Sequence, residues 1–208
     1  MPTIPANTLV QLIPGADVRL RYLPPPGTQL IVAIEAAALK APRSPLTTVV
    51  AIHQDQIVWV ASIDEAMVAT SVHNRPNARA ELTALLMTDS PRCFEVVRPG
   101  WLRTHGPLIQ DTVYQKDRPW IVIGESVHCG LLAVPLSDAG AGSRGHYQHH
   151  LAAGELDFVG SKDSAAELAH IWSFPAALPC AGQIQPAARA ALTAAVKGYF
   201  PGRPYLAP

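Results

Sequence analysis

Residues 46–62 read LTTVVAIHQDQIVWVAS. Two runs rich in β-branched and apolar residues, Thr47–Ile52 and Gln56–Ser62, flank the polar step His53-Gln54-Asp55-Gln56. That pattern predicts a β-hairpin. Upstream, TLVQLI (8–13), DVRLRYL (17–23) and TQLIVAIEA (28–36) have the same strand-like composition. Pro14-Gly15, Pro24-Pro25-Pro26-Gly27 and the segment from Pro42 to Pro45 punctuate them. Three prolines in a row donate no ladder hydrogen bonds, so residues 24–26 mark a loop or a sheet edge. The first part of the chain therefore reads as a small antiparallel β unit or barrel.

Downstream the period changes. IDEAMVATSV (63–72) and NARAELTALLM (77–87) carry helix formers with apolar residues at helical spacing, predicting two short helices. Asn74 or Asn77 would cap the second, with Pro76 near its first turn. Asp64-Glu65 would sit favourably at the N-terminus of the first. Thr88-Asp89-Ser90-Pro91 is a break, placing a boundary near residue 90 and dividing the chain into 1–90 and 91–208.

Strand-like runs then return: CFEVVR (93–98), PLIQDTVY (107–114), PWIVIGESV (119–127) and CGLLAVPL (129–136). Asp138–Arg144 is a small-residue loop, and HYQHHLAAGE (146–155) reads as a strand edge or a short helix. SAAELAH (164–170) reads as a short helix entering Ile171-Trp172-Ser173-Phe174. PAARAALTAAVKGYF (186–200), with proline first and alanine throughout, is the clearest helix. The expected class is mainly β with α.

Composition bounds the function. The 208 residues are 49% hydrophobic and 15% charged with zero formal net charge, which excludes a disordered charged tail. No basic excess supplies a general attraction to nucleic acid. No apolar run reaches the roughly 18 residues of a membrane span, and MPTIPANTLVQLIPG lacks the pattern of a secretory signal, so a cytoplasmic protein without membrane partners is expected. Cys93, Cys129 and Cys180, separated by 36 and 51 residues, suit neither a disulfide framework nor a zinc finger and read as buried thiols. His128-Cys129 could pair a nucleophile with a base, but strand neighbours face opposite sides.

Phosphate-binding glycine loops are absent, as is a G-x-S-x-G elbow; Gly140–Gly145 is glycine-rich without a long helix behind it. His146, His149 and His150 stand at i, i+3, i+4 and would share a helical face, near Glu155 and Asp157, as zinc ligands or as a solvated edge. The solvated edge is the simpler reading, and no metal or other cofactor is assigned. Trp59, Trp120 and Trp172 lie inside apolar runs and read as core. RPGWLRTH (98–105) is the one local basic-aromatic patch; Trp101 could stack a base while Arg103 and His105 hold phosphates.

The constellation of most chemical interest joins two segments. Lys116-Asp117-Arg118-Pro119 immediately precedes the apolar run Trp120–Ile123, and Leu131–Leu136 ends in Ser137-Asp138. Arg118 and Ser137 could converge on one end of a sheet. A guanidinium is a planar, permanent cation suited to a phosphorane, and a hydroxyl can position a phosphate oxygen. The pair suits in-line attack of a ribose 2′-hydroxyl without a metal, with His105, His128 or His146 as proton-transfer partner. The plainer account is a salt bridge for Arg118 and a turn cap for Ser137.

From about residue 106 to 200 the chain resembles the PemK/MazF toxin family. Lys116–Ile123 is similar to that family's arginine-proline strand start, and Ala133-Val134-Pro135-Leu136-Ser137 to its second strand. His146–Glu155, Ala166–Trp172 and Ala181–Ile184 leading into 186–200 follow in the same order. The resemblance implies an SH3-like barrel with a C-terminal helix, a homodimer, an antitoxin partner and cleavage of single-stranded RNA. Arg118 and Ser137 would be catalytic, with Trp101, Arg103, His105, Lys116, Arg144 and His146 binding RNA. Tyr114-Gln115-Lys116 stands where the family has a Ser/Glu/Gln run, and residues 1–90 have no counterpart there. A non-catalytic adapter on the same barrel is the alternative. The layout is also similar to the sugar fermentation stimulation family, an OB-like module joined to a restriction-like core, in which Asp111 and Glu125 would bind a divalent metal.

Overall fold

A computed structural model describes residues 3–16, 23–37, 46–101, 118–139 and 147–200. The expected hairpin is present: β3 (Leu46–His53) pairs antiparallel with β4 (Gln56–Asp64), His53 opposite Gln56. Gln54 and Asp55 make the turn with φ of 48° and 59°, the left-handed pair that matches the twist of a two-residue hairpin. β1 (Thr8–Leu12) and β2 (Gln29–Ala37) extend the sheet from β3. The predicted strand at 17–23 lies almost wholly outside the described residues.

Residues 63–72 are not a helix. Glu65–Met67 form a single 3-10 turn, capped by Asp64, whose carboxylate accepts from the Ala66 amide at 3.0 Å. Val68–Asn74 is then β5, paired with β1. Val68, Thr70 and Val72 are β-branched at a spacing of two, and this outweighs the few helix formers before them. The next helix, α1 (Ala78–Ala84), forms as expected, but Asn77 at its start has φ 75° and its side chain makes no cap. Asn7 caps instead, its Oδ1 accepting from the Ala78 amide at 3.1 Å across the fold.

In the second half, β6 (Glu95–Val97), β7 (Trp120–Ser126) and β8 (Gly130–Asp138) pair in sequence order. β9 (Gln148–Leu151) is an edge strand, followed by a 3-10 turn and β10 (Leu156–Phe158). Ser164–Glu167 is a strand, β11, between β8 and β9, not the expected helix. Its Ala165 and Ala166 are buried, and small residues inserted into a crowded sheet outweigh the helical preference of alanine. β12 (Trp172–Phe174), β13 (Cys180–Ile184) and the long helix α2 (Pro186–Tyr199) complete the chain.

The main sheet runs β10-β13-β6-β7-β8-β12-β4-β3-β2-β1-β5, antiparallel at every pair, with β11 and β9 attached beside β8. Among the described residues it is an open path, with β10 and β5 at its ends. The class is thus mainly β with α, as expected; the described residues form two α-helices rather than the expected four, and their sheet is open rather than a closed barrel. Alternate residues feed two buried clusters. Ile121, Ile123, Leu132 and Val134 join one, which the helices cover with Leu82, Leu192 and Val196. Trp120, Val122, Leu131 and Ala133 join the other, with Trp59, Trp172 and Phe174. Burial on both faces explains why these strands are continuous apolar runs rather than alternating ones.

The sheet passes through the break near residue 90. Trp172 of β12 pairs with Ala61 of β4 and with Ala133 of β8, and both clusters draw on residues before and after position 90. Two buried hydroxyls stitch this seam. Ser62 Oγ accepts from the Ile171 amide at 2.9 Å, and Ser173 Oγ accepts from the Val60 amide at 2.9 Å. Trp59 and Trp172 meet edge to face across it.

Candidate functional site

Antiparallel pairing decides which termini meet. Trp120 at the start of β7 lies opposite Pro135 near the end of β8, and the Leu136 amide donates to the Pro119 carbonyl at 2.9 Å. Arg118 is therefore brought beside Ser137 although 19 residues separate them. β11 begins at the same end, with Ser164 opposite Asp138 and Ala165 opposite Ser137. Val97, the last residue of β6, pairs with Trp120, which adds Arg98. Phe158 closes β10, and the turn after it supplies Gly160 and Lys162.

These residues line one cleft of about 310 Å³, formed by Arg98, Arg118, Ser137, Asp138, Phe158 and Lys162 with backbone and apolar neighbours. Three cations thus face one carboxylate. Lys162 Nζ lies 2.7 Å from Asp138, and both side chains are well exposed, so that pair is screened and weak. Arg98 donates to the Val159 carbonyl at 3.4 Å and lies over the Phe158 ring, 5.8 Å from its centroid. Arg118 is partly buried and makes no hydrogen bond or ion pair with a described residue. The plainer account, a salt bridge to a neighbouring carboxylate, is not what the described residues give it.

The turn carrying Lys162 is anchored. Asp163 accepts from the Ala139 amide through its carbonyl at 3.1 Å and from the Ala153 amide through its carboxylate at 2.9 Å. Ser164 donates to the Lys162 carbonyl at 2.7 Å. Ser137 is buried, and its hydroxyl reaches the Ala165 carbonyl at 3.5 Å. That distance is at the outer limit of a hydrogen bond, so the hydroxyl can turn toward an anion at little cost.

Other expected residues fall elsewhere. Arg103, His105, Asp111, Lys116, Arg144 and His146 lie outside the described residues, as does most of the 138–144 loop; Trp101 ends a 3-10 turn at 99–101. His128 lies in the β7–β8 turn, at the opposite end of those strands from Arg118, too far to exchange a proton in the cleft. Glu125 accepts a short hydrogen bond from Ser90 and does not line the cleft. His149 and His150 are strand neighbours in β9, so the i, i+3, i+4 spacing makes no common face. Among the described residues no cluster of three metal-ligating side chains exists. Trp59, Trp120 and Trp172 are buried as expected; Cys93 and Cys129 are buried, but Cys180 is exposed because β13 is largely exposed along its length.

Titration shifts follow burial, away from the cleft. Burial pushes the Cys129 thiol up to about 11 and raises Cys93. It lowers His149, against the pull of Glu155, and raises Tyr199.

Arg98, Asp138, Phe158 and Lys162 were not among the expected site residues. Gly160-Ser161-Lys162-Asp163-Ser164, a turn dense in charge and hydroxyls, is a signal that could have pointed to Lys162. No protein-family model, curated protein or solved structure matches the chain.

Proposed function

We propose that the protein binds single-stranded RNA with one phosphodiester in this cleft and cleaves it by in-line attack of the adjacent 2′-hydroxyl. The observation that carries the reading is the Arg118 guanidinium, without a partner among the described residues, in one cleft with Ser137 and beside Arg98 and Lys162. On this reading residues 91–208 are a toxin-like unit related to the PemK/MazF family, with β6–β8 and β11–β13 as its SH3-like part and α2 as its terminal helix. In the reaction the 2′ oxygen gives its proton to solvent water and bonds to phosphorus as the bond to the 5′ oxygen breaks; the 5′ oxygen takes a proton from water, and a 2′,3′-cyclic phosphate remains. Arg118 holds the two non-bridging oxygens as charge builds on them, in the fork geometry a lysine cannot reproduce. Ser137 turns from the Ala165 carbonyl to one of those oxygens.

Incubation of single-stranded RNA with the protein in chelator tests this. Cutting should fall about a hundredfold or more in Arg118→Ala and stay low in Arg118→Lys. Metal-dependent cutting, or cutting indifferent to Arg118, refutes it.

A second reading has its own support. Among the described lining residues the only carboxylate is Asp138, already paired with Lys162, and no histidine is present. A cleft with cations and no proton acceptor suits an RNA-binding adapter that does not cut. Arg118-dependent binding of uncut RNA identifies that case.

A further inference from the structure

We propose that Phe158 is the stacking platform for the base next to the bound phosphate. This rests on the RNA reading of the cleft and adds to it the subsite that distinguishes a nucleic acid from a bare polyanion. Phe158 is the only aromatic residue among the described lining residues, and it is partly exposed while packing against the core. Proteins that hold single strands combine a cationic track for the backbone with an aromatic face for the bases, because every base has a π-face. Both parts are present here within one cleft.

The platform is held in place from three sides. Phe158 ends β10 opposite Gly182 of β13, and a Cβ at Gly182 would come within 2.5 Å of the Phe158 Cβ. Glycine there lets the strand carrying the ring lie close against its neighbour. The Phe158 carbonyl accepts from the Ser161 amide at 3.1 Å, closing the turn that delivers Lys162. Arg98 lies over the ring and is itself tied to the Val159 carbonyl. A base can stack on the part of the ring that the cleft leaves exposed, as unpaired bases do on aromatic side chains. Ring and Lys162 therefore sit on one strand end and the turn that follows it, which sets the base relative to the phosphate.

The experiment compares a short fluorescent oligoadenylate with an abasic ribose-phosphate strand of equal length, by anisotropy. The wild-type protein should prefer the oligoadenylate by roughly five- to a hundredfold. Phe158→Leu should abolish that preference by lowering the oligoadenylate affinity to the level of the abasic strand, while Phe158→Trp should keep it. Arg118→Ala should weaken both strands. Equal loss on both strands in Phe158→Leu, or a preference untouched by it, overturns the platform while Arg118-dependent abasic binding preserves the phosphate reading. Failure of the wild-type protein to bind either strand overturns both.

Discussion

The charge inventory of the cleft sets the salt dependence of RNA binding. Arg98, Arg118 and Lys162 face Asp138, and Lys162 is already matched by that carboxylate. Three cations and one carboxylate give the described lining of the cleft a net charge of about +2. Two positive units neutralise the phosphate in the cleft and one neighbour along the strand; each contributes about −0.7 to the slope of log affinity against log salt, so the wild-type slope should be about −1.4. Raising salt fourfold should weaken binding about sevenfold. Arg118→Ala removes one of the three cations and should halve the slope to about −0.7, a loss of about threefold over the same range. Asp138→Asn frees Lys162 and should steepen it to about −2.1, or about eighteenfold. Anisotropy titrations of a labelled single-stranded RNA between about 50 and 200 mM salt measure all three slopes. Coincident slopes for wild type and Arg118→Ala, or a shallower one for Asp138→Asn, would refute the charge assignment.

Three further outcomes follow from the packing. Ser62→Ala leaves the buried Ile171 amide without its acceptor and should cost about 1–3 kcal/mol, read as a lower melting temperature with tryptophan fluorescence and circular dichroism still coincident. Gly124→Ala drives a Cβ into the Leu85 carbonyl and should destabilise by about 1–3 kcal/mol, whereas Gly154→Ala, with nothing within 4 Å, should change stability by less than about 0.5 kcal/mol. Cys129 ionises near 9.0 when unfolded but only at about 11 when buried. Its contribution is fully present below pH 9 and is lost as pH rises toward 11, on the order of 2–3 kcal/mol; denaturant midpoints of wild type and Cys129→Ala should converge across that window.

Local pattern made much of this fold readable. The 46–62 hairpin, the paired runs 119–127 and 129–136, and the proline-led helix at 186 each carry their signal within a short window. The errors share a cause. At 63–72 and 164–170 the residues favour a helix when read alone, and only pairing with β1, β8 and β9 makes them strands. The cap of α1 comes from Asn7, 71 positions away, which no window around Asn77 contains. Arg118 and Ser137 were legible because they stand at the adjoining ends of two strands that are neighbours in sequence. Arg98, Phe158 and Lys162 reach the cleft through β6, β10 and the turn after β10, and the order β10-β13-β6-β7 is a long-range arrangement no local spacing reveals.

The seam between β4 and β12 also has a consequence during synthesis. β4 ends at Asp64, but its partner arrives only with Trp172, about 110 residues later. At ribosomal speeds of about 5–20 residues per second, a nascent chain waits roughly 5–20 seconds with that edge open. An apolar edge left open that long is a template for another nascent chain on the same message. Slowing translation after residue 64 should lower the soluble yield, and supplying the missing strand early should restore it.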